Sequence, residues 1–169
     1  RTPEERRAVA ARAAAEVDRL SVLVDDLLTL ASADEHAMPL QTTEVDLDDV
    51  VLEETGALRA RGMPITVTVE PVRLEGDARR LGRVMRNLLE NAERHREDVV
   101  RVTLTHEDDA ALLVVDNDGP PVAPEERKRI FGRFVRLDDS RTRDTGGTGL
   151  GLAIVAEIVK AHGGTVTAE

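Results

Sequence analysis

Asn87-Leu88-Leu89-Glu90-Asn91-Ala92-Glu93-Arg94-His95 is the stretch on which the reading of this chain turns. On a helix, residues three and four apart share a face, so Asn87, Asn91, Arg94 and His95 form one polar stripe. These types suit a nucleotide held with a divalent cation. Amide oxygens are hard ligands for Mg2+, a guanidinium grips phosphate in a planar fork, and an imidazole offers a flat face to a purine. The same pattern also describes an amphipathic helix with a solvated side, so a second motif has to decide.

That motif is Gly146-Gly147-Thr148-Gly149-Leu150-Gly151-Leu152, which runs into the apolar helical pattern Ala153-Ile154-Val155-Ala156-Glu157-Ile158-Val159. Glycines at 147, 149 and 151 let backbone amides approach an anion, and the helix that starts there adds its positive dipole end. No Gly-Lys-Ser/Thr follows, which excludes a P-loop, and the glycine spacing is not that of a dinucleotide fingerprint. Between the two motifs, Leu112-Leu113-Val114-Val115 ends in Asp116-Asn117-Asp118-Gly119-Pro120-Pro121. This is a strand running into an acidic turn, with side-chain acceptors at the sheet edge; alone it is an Asx-type turn.

In this order, with Ile130-Phe131-Gly132-Arg133-Phe134 between the acidic turn and the glycine loop, the segments resemble the N, G1, F and G2 boxes of sensor histidine kinases of two-component systems. The resemblance implies an α+β two-layer sandwich, the Bergerat (GHKL) ATP-binding fold, with a mixed sheet covered by helices on one face and one long amphipathic helix before it. It implies ATP and Mg2+ as ligands, and transfer of the γ-phosphoryl to a histidine. Carried onto this chain, Asn91 would ligate Mg2+ with Asn87 beside it near the phosphates, and Arg94 would hold a phosphate. His95, where the family usually has Tyr, and Asn117 would receive the adenine at the Gly119 turn. Gly147, Thr148, Gly149, Leu150 and Gly151 would wrap the phosphate tail, and the lid arginines Arg136, Arg141 and Arg143 could reach it.

Two positions depart from the family pattern. Asn117 stands where an Asp normally reads the adenine amino group, and Pro121, without an amide hydrogen, replaces the second glycine of the turn. A neutral acceptor is worth about 1 kcal/mol less than a charged one, so weaker ATP binding is expected, unless Asp116 or Asp118 substitutes. Hydrolytic relatives place a Glu four residues before the metal-binding Asn; that position is Asn87, and Glu90 points about 100° away round the helix from Asn91. The expected chemistry is therefore a kinase's. The alternatives are a degenerate nucleotide-binding and dimerisation module, or a serine kinase or ATPase of the same fold.

At the amino terminus, Thr2-Pro3-Glu4-Glu5 reads as a capping box with Pro at the first helical position. Ala10, Ala13, Val17, Leu20, Val24, Leu27 and Ala31 then recur at steps of three and four, a heptad seam widened by Val9, Leu23 and Leu30. In the resemblance this helix, over 1–34, matches the second helix of the dimerisation and phosphotransfer hairpin, with Arg19-Leu20 and Asp25-Asp26-Leu27-Leu28 at familiar places. Residues 35–43, with Pro39, read as a linker, and 44–169 as the catalytic domain lacking its last strand. None of His36, His95, His106 and His162 has the flanking sequence of a phosphoacceptor, so the acceptor is expected on a helix outside this fragment, and no residue of the chain is assigned as catalytic. The implied partners are ATP, a second copy through the hairpin, and a response regulator receiver domain.

The 169 residues carry a formal net charge of −10, 41% hydrophobic residues and no Cys. Such an acidic chain is a poor non-specific nucleic-acid binder, and disulfides and thiolate metal sites are excluded. With no run of eighteen apolar residues, neither a membrane span nor a signal peptide is expected here. The resemblance implies a cytoplasmic location, as the cytoplasmic portion of a membrane-anchored sensor whose anchor would lie in segments outside the chain. Strands are expected at 44–47, 65–70, 72–74 as a hairpin partner of 65–70, 99–105 and 111–115, and helices from 48 to 61 and from the Asp77 cap onward. A short helix at 124–130, a lid over 132–148 pinned to the core by Phe131 and Phe134, and an unpartnered strand at 165–169 complete the reading.

Overall fold

The computed structural model describes residues 2–35, 40–108, 110–137 and 148–169. It divides into two compact units, Arg1–Ala37 and Met38–Glu169. The first is one helix, α1 (Pro3–Glu35), and Pro3 opens it, where its missing N–H has no intrahelical partner to lose. Along α1, Val9, Val17, Leu20, Val24 and Leu27 are between 43% and 61% exposed, so the heptad seam is bared. Among the described residues, no helix is long and apolar enough to cross a membrane.

The second unit runs β1 (Thr43–Asp46), α2 (Leu47–Ala60), β2 (Ile65–Val69), β3 (Arg73–Gly76), α3 (Ala78–His95), β4 (Val100–Glu107), β5 (Ala110–Asn117), a 3-10 turn at Arg129–Phe131, and α4 (Gly151–Ala161). Strands β2, β4 and β5 form a mixed sheet, with β2 parallel and β5 antiparallel to the central β4. Alternation on β4 sends Val100, Val102 and Leu104 inward and leaves Arg101 exposed. These inward residues meet Leu47, Val51 and Leu58 of α2 and Met85, Leu89 and Ala92 of α3 in one core. Fully burying a side chain such as Met85 or Leu104 contributes roughly 1.5–3 kcal/mol. Helices thus cover one face of a mixed sheet, as expected for the α+β sandwich.

Three expectations are corrected. Residues 73–76 pair antiparallel with β1, Thr43 opposite Gly76, and not with β2. The chain cannot turn back on β2 because Glu70 still donates to Leu104 of β4, and Val72 is then captured: its amide donates to the Asp48 carboxylate and its carbonyl accepts from Leu47. Arg73, fork-bonded to Asp46 and paired with Glu44, holds the β1 register. Residues 124–130 make turns that tighten into the 3-10 segment and not an α-helix. Residues 165–169, read as an extended end without a partner, indeed join no strand ladder among the described residues. Phe134 is 63% exposed, so its side chain does not pin the lid to the core; Phe131 is half-buried.

Candidate functional site

Helix α3 is launched by Asp77, whose side chain accepts from the Arg80 amide at 3.1 Å, the N-cap bond that satisfies an orphan donor of the first turn. Its apolar positions, Val84, Met85, Leu89 and Ala92, face the core. The polar stripe runs beside them, with Asn87 and Asn91 half-buried and Arg94 and His95 exposed. Burial first, then the nearby Arg94 charge, pushes the His95 imidazole below its ordinary pKa, so the ring is neutral near pH 7.

Helix α4 begins directly across from Asn87: a β-carbon on Gly151 would stand 3.3 Å from the Asn87 amide oxygen. Leu150, at the N-cap, gives the helix no side-chain cap, so the first-turn amides keep their donor capacity toward an anion. Thr148 Oγ1 accepts from the Leu150 amide at 3.3 Å and shapes the turn in front of them. Gly149 has φ +73°, and its carbonyl accepts from the Phe134 amide at 2.9 Å. The lid base is therefore tied to the glycine loop through backbone.

The acidic turn closes the site from the β5 side. Asn117 lies opposite Val100 in the β4–β5 ladder, so it shares the inward face with Val115 and points under the helices. Asp116, one residue away, faces out and pairs with Arg101. Asp118 is spent differently: its carboxylate accepts from the amides of Glu97, Asp98 and Val99 at 3.0–3.1 Å. Neither aspartate can replace Asn117 as the inward acceptor. Burial raises the Asp118 pKa, but the hydrogen bonds from Val99, Asp98 and Glu97 outweigh it and hold the carboxyl below the usual range. Gly119 lies against the His95 carbonyl, where no side chain fits.

Two buried polar atoms of the stripe and the turn have no hydrogen-bond partner among the described residues: Nδ2 of Asn87 and Oδ1 of Asn117. Buried polar groups are nearly always satisfied, so these two mark where a polar ligand belongs. An amide donor beside an uncapped helix start suits phosphate, and an inward acceptor at the end of β5 suits an amino-bearing base.

The structure thus brings Asn87 to Gly151, and sets Gly119 between the His95 carbonyl and the Asn117 amide oxygen. Asn91 and Arg94 lie further along the Asn87 stripe, Pro121 and Arg136 are exposed, and Gly147, Arg141 and Arg143 lie outside the described residues. The anchoring role of Asp118 escaped sequence reasoning, because an Asp before Gly is equally a turn former.

Residues 76–169 match the model of the histidine kinase-, DNA gyrase B-, and HSP90-like ATPase family. The chain is 40% identical over 159 residues to sensor protein RstB of Escherichia coli, covering 91% of this chain and 36% of RstB. It is 40% identical over 163 residues to the probable sensor histidine kinase TcrY of Mycobacterium tuberculosis, covering 92% of this chain and 34% of TcrY. It therefore spans about a third of the length of these relatives. Among solved structures it is similar to the mycobacterial sensor histidine kinase MprB, with TM-score 0.66 and 35% identity over 75% of this chain and 83% of that one. It is also similar to full-length ShkA in complex with AMPPNP, with TM-score 0.80 and 31% identity over 98% of this chain and 36% of that one. The chain belongs to the histidine kinase-, DNA gyrase B-, and HSP90-like ATPase family, as an ATP-binding catalytic domain of the sensor histidine kinase type.

Proposed function

We propose that this chain binds ATP with Mg2+ and directs the γ-phosphoryl group to a histidine on a dimerisation hairpin, within a two-component system. The observation that carries the reading is the uncapped start of α4 set against Asn87, whose amide nitrogen is buried with no partner among the described residues. A phosphate oxygen there would accept from Asn87 Nδ2 and from the α4 amides at once. Asn117 Oδ1 would accept from the base amino group, with the neutral His95 ring alongside. ShkA, whose fold this chain shares, was solved with an ATP analogue.

Asn91 supplies a hard oxygen for the cation, and Mg2+ is typically held by one or two side chains plus phosphates. The bound metal supplies neutralisation of the charge that develops on the transferring group. The chain's own share is to orient the nucleotide, with Arg94 offering a second cation at the phosphates. No carboxylate stands at the Asn87 position to activate water, and Glu90 on α3 is exposed, so the phosphoryl is kept for a protein acceptor. Residues 1–34, with their bared apolar seam, would form the second helix of that hairpin, 35–43 the linker and 44–169 the catalytic domain. The partners are then a second copy of the chain and a response regulator receiver domain, and the location is the cytoplasmic part of an anchored sensor.

Calorimetric titration of ATP with and without Mg2+ tests the binding. The expected result is Mg2+-dependent binding that Asn91→Ala abolishes. Mixing with a histidine-bearing hairpin should then place acid-labile phosphate on the hairpin. No binding at millimolar ATP would overturn the reading, and binding without transfer would point to a degenerate module.

A further inference from the structure

His162, the residue that ends α4, has both ring nitrogens engaged. Its Nε2 accepts from the Asp77 amide at 3.0 Å, and its Nδ1 stands 2.8 Å from the Ile158 carbonyl oxygen. One nitrogen must accept and the other must donate, so the bonds select the neutral ring with its proton on Nδ1. Asp77, 7% exposed, is equally committed: Oδ1 accepts from the Arg80 amide and Oδ2 from the Gln41 amide, both at 3.1 Å. The imidazole edge lies on β3, where a β-carbon at Gly76 would stand 3.1 Å from Cδ2.

These contacts lie at the opposite end of the helix pair from the nucleotide. Asn87 is ten residues beyond Asp77, and His162 eleven beyond Gly151, so the paired segments run about 15 and 16.5 Å at about 1.5 Å per residue. The two segments run antiparallel and are of nearly matched length. They meet through Asn87 and Gly151 at one end and through Asp77 and His162 at the other.

We propose that His162 is a positioning residue for the nucleotide site: by accepting the Asp77 amide it sets the axial register of α4 on α3, and so holds the uncapped α4 start against Asn87. The proposal rests on the nucleotide reading above. Both Asp77 oxygens already hold backbone amides, with the Arg80 guanidinium 3.4 Å from Oδ2, so the carboxylate fixes the start of α3 while the Asp77 amide serves the ring.

The test is calorimetric titration of Mg2+ and ATP into the full chain for wild type, His162→Leu and His162→Gln. Leu removes the acceptor; Gln can restore one. The expected results are binding about fivefold weaker for Leu, the value of one net hydrogen bond, and near-wild-type binding for Gln. Wild-type affinity in a folded Leu variant, or a folded Gln variant that binds as weakly as Leu, would overturn the clamp. Imidazole 15N shifts in the nucleotide-free wild type give a readout independent of ATP and of variant folding: an Nε2-protonated neutral ring sinks the proposal. Failure of wild type to bind ATP while the Nδ1-protonated ring is found would instead remove the nucleotide reading and leave the Asp77 contact standing.

Discussion

Gly119 lies under the last carbonyl of α3, and a β-carbon on it would overlap the His95 oxygen. Backbone on backbone leaves no flexible group to yield. Gly119→Ala must push the acidic turn off the helix end, at a cost of about 1–3 kcal/mol or more, read as a lower urea midpoint with unchanged slope. Gly163→Ala is the control: φ there is +76° but the space is open, so only the left-handed backbone penalty of roughly 1–2 kcal/mol applies.

Asp118 ties that same turn to the amides of residues 97–99, and its folded pKa lies below the ordinary carboxylate value. A depressed folded pKa contributes stability that is present above the unfolded pKa and is lost as pH falls through the folded one. Asp118→Asn should therefore lower the thermal midpoint at neutral pH and reduce its decline in acid. Parallel acid profiles for the two proteins would contradict the assignment.

Asn117 offers an unpartnered inward oxygen where a carboxylate would bind an amino group more strongly. Asn117→Asp should tighten ATP binding by about fivefold, the gain of roughly 1 kcal/mol from charging the acceptor. The gain should be absent for GTP, whose base presents a carbonyl at the equivalent position. Competition titration with the two nucleotides separates this outcome from a general electrostatic effect.

At Gly149, a β-carbon would come within 3.0 Å of the Phe134 backbone at a φ of +73°. Gly149→Ala should cost about 1–2 kcal/mol from the conformation alone and should also stretch the Phe134 N–H bond to its carbonyl. Nucleotide affinity should fall by more than global stability does, since the strain sits in the loop and not in the sheet core. Paired denaturation and binding curves show which falls further.

Much of the site was legible because its parts are local. The Asn87 and Asn91 spacing, the Asp77 cap and the alternating glycines each need only one helix or one turn to be understood. The pairing of β3 was not legible, since two adjacent apolar runs suggest a hairpin; the decisive bonds, Leu47 to Val72 and Val72 to Asp48, join residues separated in sequence. Phe134 misled for a related reason: aromatic type suggested a packed ring, but the anchoring is by its amide. His162 was visible only as a histidine lacking a phosphoacceptor's neighbours, because its partner Asp77 is distant along the chain.

Among the described residues the core of α2, α3 and the sheet draws no side chain from α4, yet Ala153, Ile154, Val155 and Ile158 of α4 are themselves only 0–3% exposed. Helix α4 therefore buries a face of its own while its start is left open to an anion. ATP would contact both α3 and α4, so the ligand adds, by mass action, to the free energy needed to part them. Amide exchange along 151–161 would then slow as occupancy rises while the β4 amides change less, making this helix a built-in gauge of nucleotide load.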